Sequence, residues 1–164
     1  MSDNSDTQLS SAVKRVVEHG SRAGVHIVPL TLPVNARTAR EAATALDIDI
    51  AQIVKSLVFV VAGIPTLALV AGIDQLDEAR LSAAVGGGTV LRANADIVRE
   101  TTGFAIGGVA PFGSIQALQV LIDRTLLAHD IVYAAAGRPD TVFAISPPDL
   151  VKASGAMTWD LARD

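Results

Sequence analysis

The sequence contains no cysteine, and only 4% of its 164 residues are aromatic. The missing cysteines exclude disulfides, a thiol nucleophile and thiolate metal ligands. Half of the residues are apolar and 18% are charged, which is typical of a folded chain and not of a disordered one. The core is therefore expected to consist mainly of Ala, Val, Leu and Ile, and the length favours one domain.

No apolar run approaches the roughly 20 residues that span a bilayer, so no membrane anchor is predicted. Segment 1–8 is polar and lacks the basic start and apolar middle of a signal peptide. We therefore expect a cytoplasmic protein with a flexible tail over residues 1–8 and one domain over residues 9–164. The net charge of −4 argues against a protein that holds a nucleic-acid duplex mainly by neutralising phosphates. A nucleic-acid partner would be gripped at a small site, such as an end.

Several motifs of catalytic sites are also missing. His19, His26 and His129 lack ligand spacing, so no metal site is predicted. Ser114 is not part of the Gly-x-Ser-x-Gly elbow of a serine hydrolase. The glycine-rich segment 103–113 is neither a P-loop nor a dinucleotide fingerprint, so no cofactor is predicted.

Signals for capped helices alternate with short apolar strands along the chain. The residues that can open helices are Ser10, Thr38, Asp77, Asn94 and Ser146. The predicted strands cover residues 25–28, 57–62, 66–71, 90–91, 118–122, 131–135 and 141–145, of which the second and third form a hairpin. This order predicts an α/β domain with a central mixed sheet and helices on its outside.

Lys55 lies between a possible helical turn at 49–52 and a strand of apolar residues. A lysine in this position must either extend its head to water or point into a cleft. One interpretation is an ordinary lysine at the start of a strand. The other is a cation fixed on a rigid element beside a pocket, where it could hold a phosphate or a carbonyl oxygen. The position alone leaves both interpretations open.

The segment Gly103-Phe-Ala-Ile-Gly107-Gly108-Val-Ala-Pro111-Phe-Gly113 offers backbone rather than side chains. Its glycines allow close approach, and Pro111 fixes one φ angle. Such a loop can present N–H and C=O groups to a substrate ester. It can equally be a tight connection between a helix and a strand.

Three groups of residues, in this order, resemble the YbaK/ProX family of trans-editing factors, which is related to the editing insertion of bacterial prolyl-tRNA synthetases. Residues 53–59 are similar to the family's lysine at the start of a core strand. Residues 103–113 match its Gly-x-x-x-Pro loop and flanking glycines. Residues 136–150 are similar to its closing strand and helix, and the similarity runs from about residue 20 to 155.

The resemblance implies a single α/β domain around a mixed, barrel-like sheet. It implies hydrolysis of the ester of a mischarged tRNA, with tRNA(Pro) carrying a small wrong amino acid as the expected substrate. Lys55 and Gly107 would be catalytic. The substrate-binding residues would be Ser56, Gly108, Val109, Ala110, Pro111 and Val142. The family uses water or a substrate hydroxyl rather than a metal, a cofactor or a protein nucleophile.

The sequence departs from the family's known branches at the specificity positions. Ser56 follows the lysine where the alanine-specific branch often has Asn, and segment 141–144 lacks the Asp or His of the related branches. We therefore expect a small, mainly apolar cleft with Val142 or Phe143 in its wall. The expected partners are the aminoacyl-tRNA acceptor end and either prolyl-tRNA synthetase or an elongation factor, and the expected state is a monomer or homodimer. The alternative is a non-catalytic module that binds tRNA ends, nucleotides or a synthetase.

Overall fold

A computed structural model describes residues 10–34 and 36–164, so the predicted tail at 1–8 lies outside the described residues. The helices are α1 (Ser11–Arg22), α2 (Ala39–Leu46), α3 (Glu78–Ala84), α4 (Ala95–Thr102) and α5 (Pro147–Ser154), with 3-10 turns at Ile50–Gln52 and Arg124–Ala128. The strands are β1 (Leu30–Thr31), β2 (Val54–Val61), β3 (Ile64–Ala71), β4 (Val90–Arg92), β5 (Gln119–Asp123), β6 (Val132–Arg138), β7 (Thr141–Ile145) and β8 (Met157–Trp159).

The helices begin where the sequence predicts because side chains cap their first turns. Ser10 accepts a hydrogen bond from the backbone of α1, and Thr38 forms a complete capping box with Glu41 at the start of α2. Gly103 and Gly155 end α4 and α5 in the left-handed conformation. None of the helices that the structure describes is long and apolar enough to cross a membrane.

The strands form two sheets. The larger is mixed, in the order β4-β2-β3-β5-β8, and the smaller is antiparallel, in the order β1-β7-β6. A bridge between Ile53 and Tyr133 connects the start of β2 to β6. The predicted α/β domain with a mixed sheet is therefore confirmed, although the strands lie in two sheets and do not close into a barrel.

Apart from Lys55, Ser56 and Thr66, the central hairpin of β2 and β3 is apolar because both of its faces are largely buried. Val58 and Leu69 pack into the main core, which also holds residues of α1, α4, α5, β6 and β7. Phe59 and Val70 point to the opposite face, where α3 and Leu161 cover the sheet. A strand buried on both sides has no polar alternation, which explains the two continuous apolar runs.

The predicted strand at 25–28 is wrong. Val25 and Ile27 are buried, as the alternation indicates, but this segment pairs with no strand, and pairing begins only at β1. The preceding helix runs past Gly20 to Arg22, and the chain returns so closely that a Cβ at Gly20 would come within 2.5 Å of Ile27 Cγ1. Gly20 is therefore a packing residue, and the segment is buried through packing that includes α1, without strand pairing.

Candidate active site

A cleft of about 360 Å³ lies where the two sheets meet. Its walls come from the start of β2, from β6 and β7, from the N-terminal half of α2, and from the loop that follows α4. Most of the lining is aliphatic. The volume falls in the range of small-molecule sites in proteins, which are concave and mainly apolar with a few polar groups.

The charged groups of the cleft all have the same sign. Arg37, Lys55 and Arg92 are in the lining, and the described residues place no aspartate or glutamate there. The whole chain has a net charge of −4, so the positive charge of this cluster is opposite in sign to the net charge of the chain. A concave site lined by one sign of charge attracts ligands of the opposite sign, and the cleft is therefore suited to an anion or a polarised carbonyl group.

Lys55 is the second residue of β2 and is half-buried at the cleft. Its Nζ atom donates a hydrogen bond to the backbone carbonyl of Asp74, which lies just after β3. Burial lowers the pKa of the Lys55 ammonium, the Asp74 carboxylate raises it, and the nearby Arg92 lowers it further. The net result is a lysine pKa below the ordinary value, which indicates a cation that is incompletely solvated.

Ser56 follows Lys55 and also lines the cleft. Its Oγ atom is buried and has no hydrogen-bond partner among the described residues. A buried hydroxyl without a partner costs about 1–3 kcal/mol, so a hydrogen bond that a bound ligand made to this group would recover part of that cost.

The glycine-rich loop contributes only its first part to the cleft. Gly107 and Val109 are in the lining. Gly107 has a φ of +90°, and a Cβ there would meet nothing nearer than 3.8 Å. The glycine is required by its backbone conformation, and the open space beside it leaves its peptide accessible from the cleft.

The other predicted loop residues do not line the cleft. A Cβ on Gly108 would lie 2.7 Å from the backbone carbonyl carbon of Arg138, so this glycine is needed for close packing against the turn between β6 and β7. Ala110 is fully buried in the main core, and Pro111 lines a second cleft together with Ser114. These three residues lie outside the lining of the cleft, and Gly107 and Val109 are the loop residues beside it.

The two residues predicted for the wall of the cleft, Val142 and Phe143, are neighbours on β7 and point to opposite faces of the strand. Val142 is in the lining of the cleft. Phe143 is fully buried and points the other way, with its ring 5.5 Å from that of Phe112. Of the two, Val142 alone contributes to the wall.

Sequence reasoning missed several lining residues, including Arg37, Arg92, Ile106 and Tyr133. Tyr133 is the single tyrosine of the chain and lies in a strand of alanines, a contrast that could have drawn attention to it. Arg92 stands opposite Phe59 in the sheet, with its guanidinium carbon 5.9 Å from the ring centre. The missed lining residues meet at one cleft because of how the two sheets pack, and local sequence patterns do not predict this packing.

No three His, Asp or Glu side chains within residues 10–34 and 36–164 are grouped so that they could hold a metal ion. The described lining also contains no histidine. The polar protein groups of the described lining are the Lys55 ammonium, the two guanidinium groups, the hydroxyls of Thr38, Ser56 and Tyr133, and backbone groups.

An α/β domain with a small cationic cleft between two sheets defines the class of this protein, and comparisons with known proteins give its family. The model of the aminoacyl-tRNA editing domain matches residues 34–153. The chain therefore belongs to the aminoacyl-tRNA editing domain family. The resemblance to prolyl-tRNA-synthetase-associated editing proteins is confirmed by similar proteins and structures.

A crystal structure of a candidate trans-editing enzyme for prolyl tRNA synthetase superposes with a TM-score of 0.90 and 40% identity, over 96% of this chain and all (100%) of the other. Protein YwhH of Bacillus subtilis (strain 168) is 29% identical over 128 residues, which cover 77% of this chain and 82% of YwhH. The proline–tRNA ligase of Maridesulfovibrio salexigens is 33% identical over 104 residues, 63% of this chain. The matched region is only 18% of that ligase, so the similarity concerns one part of a much longer enzyme.

Proposed function

We propose that this protein is a trans-editing aminoacyl-tRNA deacylase that hydrolyses the ester of tRNA(Pro) carrying a small wrong amino acid. The observation that supports this most directly is Lys55, a half-buried cation in the cleft of an aminoacyl-tRNA editing domain. The described lining contains no carboxylate, and the Lys55 ammonium has two donors beyond its bond to the Asp74 carbonyl with which to meet a substrate.

The shape and polarity of the cleft suit such a substrate. A volume of about 360 Å³ can hold a small aminoacyl group beside part of a ribose. The aliphatic wall that includes Val142 favours a small apolar side chain over a charged one, because a charge packed against that wall would lose its hydration among aliphatic groups. Arg37 and Arg92 can meet the phosphate of the terminal nucleotide.

Ester hydrolysis adds water to the carbonyl carbon, and the bond between this carbon and the ribose oxygen then breaks. The ribose oxygen leaves with a proton, and the carbonyl oxygen carries negative charge in the intermediate. We assign stabilisation of that charge to the Lys55 ammonium and to the backbone at Gly107. The described lining supplies no carboxylate or imidazole base, so we assign removal of the proton from water to a substrate group, such as the neighbouring ribose hydroxyl.

The proposed partner is the acceptor end of the aminoacyl-tRNA, bound by a monomer or homodimer of this chain in the cytoplasm. The net charge of −4 is unsuited to holding the tRNA body by phosphate neutralisation. Prolyl-tRNA synthetase or an elongation factor would supply those contacts.

The test is a single-turnover deacylation assay on tRNA(Pro) charged in turn with glycine, alanine, serine, aspartate, lysine and proline. The proposal predicts rapid loss of a small amino acid, slow loss of aspartate and lysine, and preservation of proline. Hydrolysis of none of these esters, or fastest hydrolysis of a charged aminoacyl group, would contradict it.

One observation favours the alternative of a non-catalytic binding module. The Lys55 ammonium already bonds to the Asp74 carbonyl, and the described cleft offers no protein base. A binding module would retain affinity for an RNA that ends in CCA without shortening the lifetime of any ester. Fluorescence anisotropy with an uncharged acceptor-stem RNA, run beside the deacylation assay, separates the two functions.

A further inference from the structure

Residues 161–163 lie against the segment that follows β3, and we call them the C-terminal clamp. The backbone N–H of Asp77 donates to the Leu161 carbonyl at 2.7 Å, and that of Arg163 donates to the Gln75 carbonyl at 2.8 Å. These bonds tie the end of the described chain to a loop more than 80 positions earlier, and such contacts fix the loop's backbone rather than its side chains.

A buried carboxylate anchors the clamp. Asp123, the last residue of β5, is fully buried, and no other acidic residue in the described chain is buried. Its Oδ1 atom accepts hydrogen bonds from the backbone N–H groups of Leu161 at 2.8 Å and Ala162 at 3.1 Å. Its Oδ2 atom accepts from the backbone N–H of Thr125 at 3.3 Å and from the hydroxyl of the same residue. Because a buried charge is costly unless hydrogen-bonded, the clamp is held in one position on Asp123.

The loop that the clamp holds also contains the acceptor of the Lys55 hydrogen bond. Gln75, whose carbonyl is bound by Arg163, directly follows Asp74, whose carbonyl is bound by the Lys55 ammonium. On its other side, the Asp74 carboxylate lies 3.4 Å from the Thr125 hydroxyl. The segment around Asp74 is thus held on one side by Arg163 of the clamp and on the other by Thr125, which bonds to Asp123.

We propose that the C-terminal clamp, anchored on Asp123, is a positioning device that sets where the Lys55 ammonium stands in the cleft. The effect of the clamp on deacylation rests on the proposed function, but its effect on the position of Lys55 does not. The clamp lies beyond the residues 34–153 that match the editing-domain family. None of its residues is in the lining of the cleft, so it acts on substrate only through Lys55.

The sharpest test removes one backbone hydrogen bond. Arg163→Pro deletes the N–H that donates to the Gln75 carbonyl. A proline also favours an extended backbone at the preceding residue, which suits Ala162 because this residue forms a β-bridge with Leu76. Both this variant and Arg163→Ala lose the side-chain bond from the Arg163 guanidinium to Gln75 Oε1 at 3.2 Å, but Arg163→Ala keeps the backbone N–H and is therefore the matched control. Asp123→Asn, which replaces one acceptor oxygen by a donor, disturbs the anchor instead and serves as the second variant.

The primary measurement is the titration of Lys55 by NMR in lysine-labelled protein, with the Lys55→Arg spectrum identifying the signal. Burial is the largest cause of the lowered Lys55 pKa, so release of the side chain to water should move its pKa up towards 10.5 in Arg163→Pro and in Asp123→Asn. The deacylation kcat should fall by up to about 100-fold with a smaller change in KM, and Arg163→Ala should match the wild type in both measurements.

An unchanged Lys55 titration in folded Arg163→Pro and Asp123→Asn would overturn the proposal, as would an equal shift in Arg163→Ala. If one of the two variants does not fold, the titration in the other decides. If the wild type hydrolyses no ester and the titration still shifts as predicted, the clamp is supported and the proposed function fails.

Discussion

Val142 on β7 is the register partner of Ala135 on β6, and both residues line the cleft. The small sheet therefore presents a narrow aliphatic wall to the substrate. The next residue, Phe143, points into the core on the other side of the strand. Adjacent residues of β7 thus face the cleft and the core, so a substitution at one of them can alter the cleft without altering the core.

Val142→Ala is expected to admit larger amino acids, because it removes two methyl groups from the wall. The ratio of kcat/KM for a small aminoacyl group over a larger apolar one should fall by about 10-fold or more. The measurement is deacylation of tRNA(Pro) charged with alanine and with valine. Phe143→Leu is the matched control, since it should lower stability and leave the ratio unchanged. An unaltered ratio in Val142→Ala would remove this residue from the wall.

Gly107→Ala should lower deacylation more than its effect on folding explains. Gly107 and Gly86 have nearly the same positive φ, at +90° and +92°. A Cβ added to Gly107 would meet nothing nearer than 3.8 Å, and one added to Gly86 would meet nothing within 4 Å. Each alanine variant should lose about 1–2 kcal/mol of stability, as measured by urea denaturation. Because Gly107 alone lines the cleft, its variant alone should lose activity, and equal activity loss in Gly86→Ala would contradict this assignment.

The pH dependence of stability should carry a contribution from Lys55. Its folded-state pKa lies below the ordinary value of 10.5, so between these two values the unfolded chain binds a proton that the folded protein does not. The free energy of unfolding therefore gains from this group as the pH rises through that window. Urea denaturation at several alkaline pH values should show the gain in the wild type and its loss in Lys55→Met. Lys14→Met, at an exposed lysine of α1, controls for the removal of one charge.

The helices and the central hairpin could be predicted from sequence because their signals are local. The capping box at Thr38 and the glycines after α4 and α5 fix helix ends within a few residues of chain. The β8 strand, Met157–Trp159, could not be predicted, because all three residues are exposed and show no alternation. It exists because β5 offers a parallel partner, which is a property of the assembled sheet.

The site was only partly predictable for the same reason. Lys55 stands out as a charge at the start of an apolar strand, and Gly107 as part of an unusual loop. Gly108 has the same residue type as its neighbour, yet it packs on the backbone of Arg138, and only the fold distinguishes the two. Arg92 and Tyr133 reach the cleft from different sheets, so their shared position depends on the contact between those sheets.

The most direct test of the proposed mechanism compares wild-type protein with Lys55→Ala on tRNA(Pro) charged with alanine, in single-turnover deacylation. Removal of the one ammonium group from the described lining should lower the rate by about 100-fold to 1,000-fold. Because Lys55 is only half-buried, the circular dichroism spectrum and the thermal unfolding midpoint should stay close to those of the wild type, and Lys14→Ala should retain full activity. A folded Lys55→Ala protein that deacylates this tRNA at the wild-type rate would contradict the central claim that Lys55 stabilises the reacting ester.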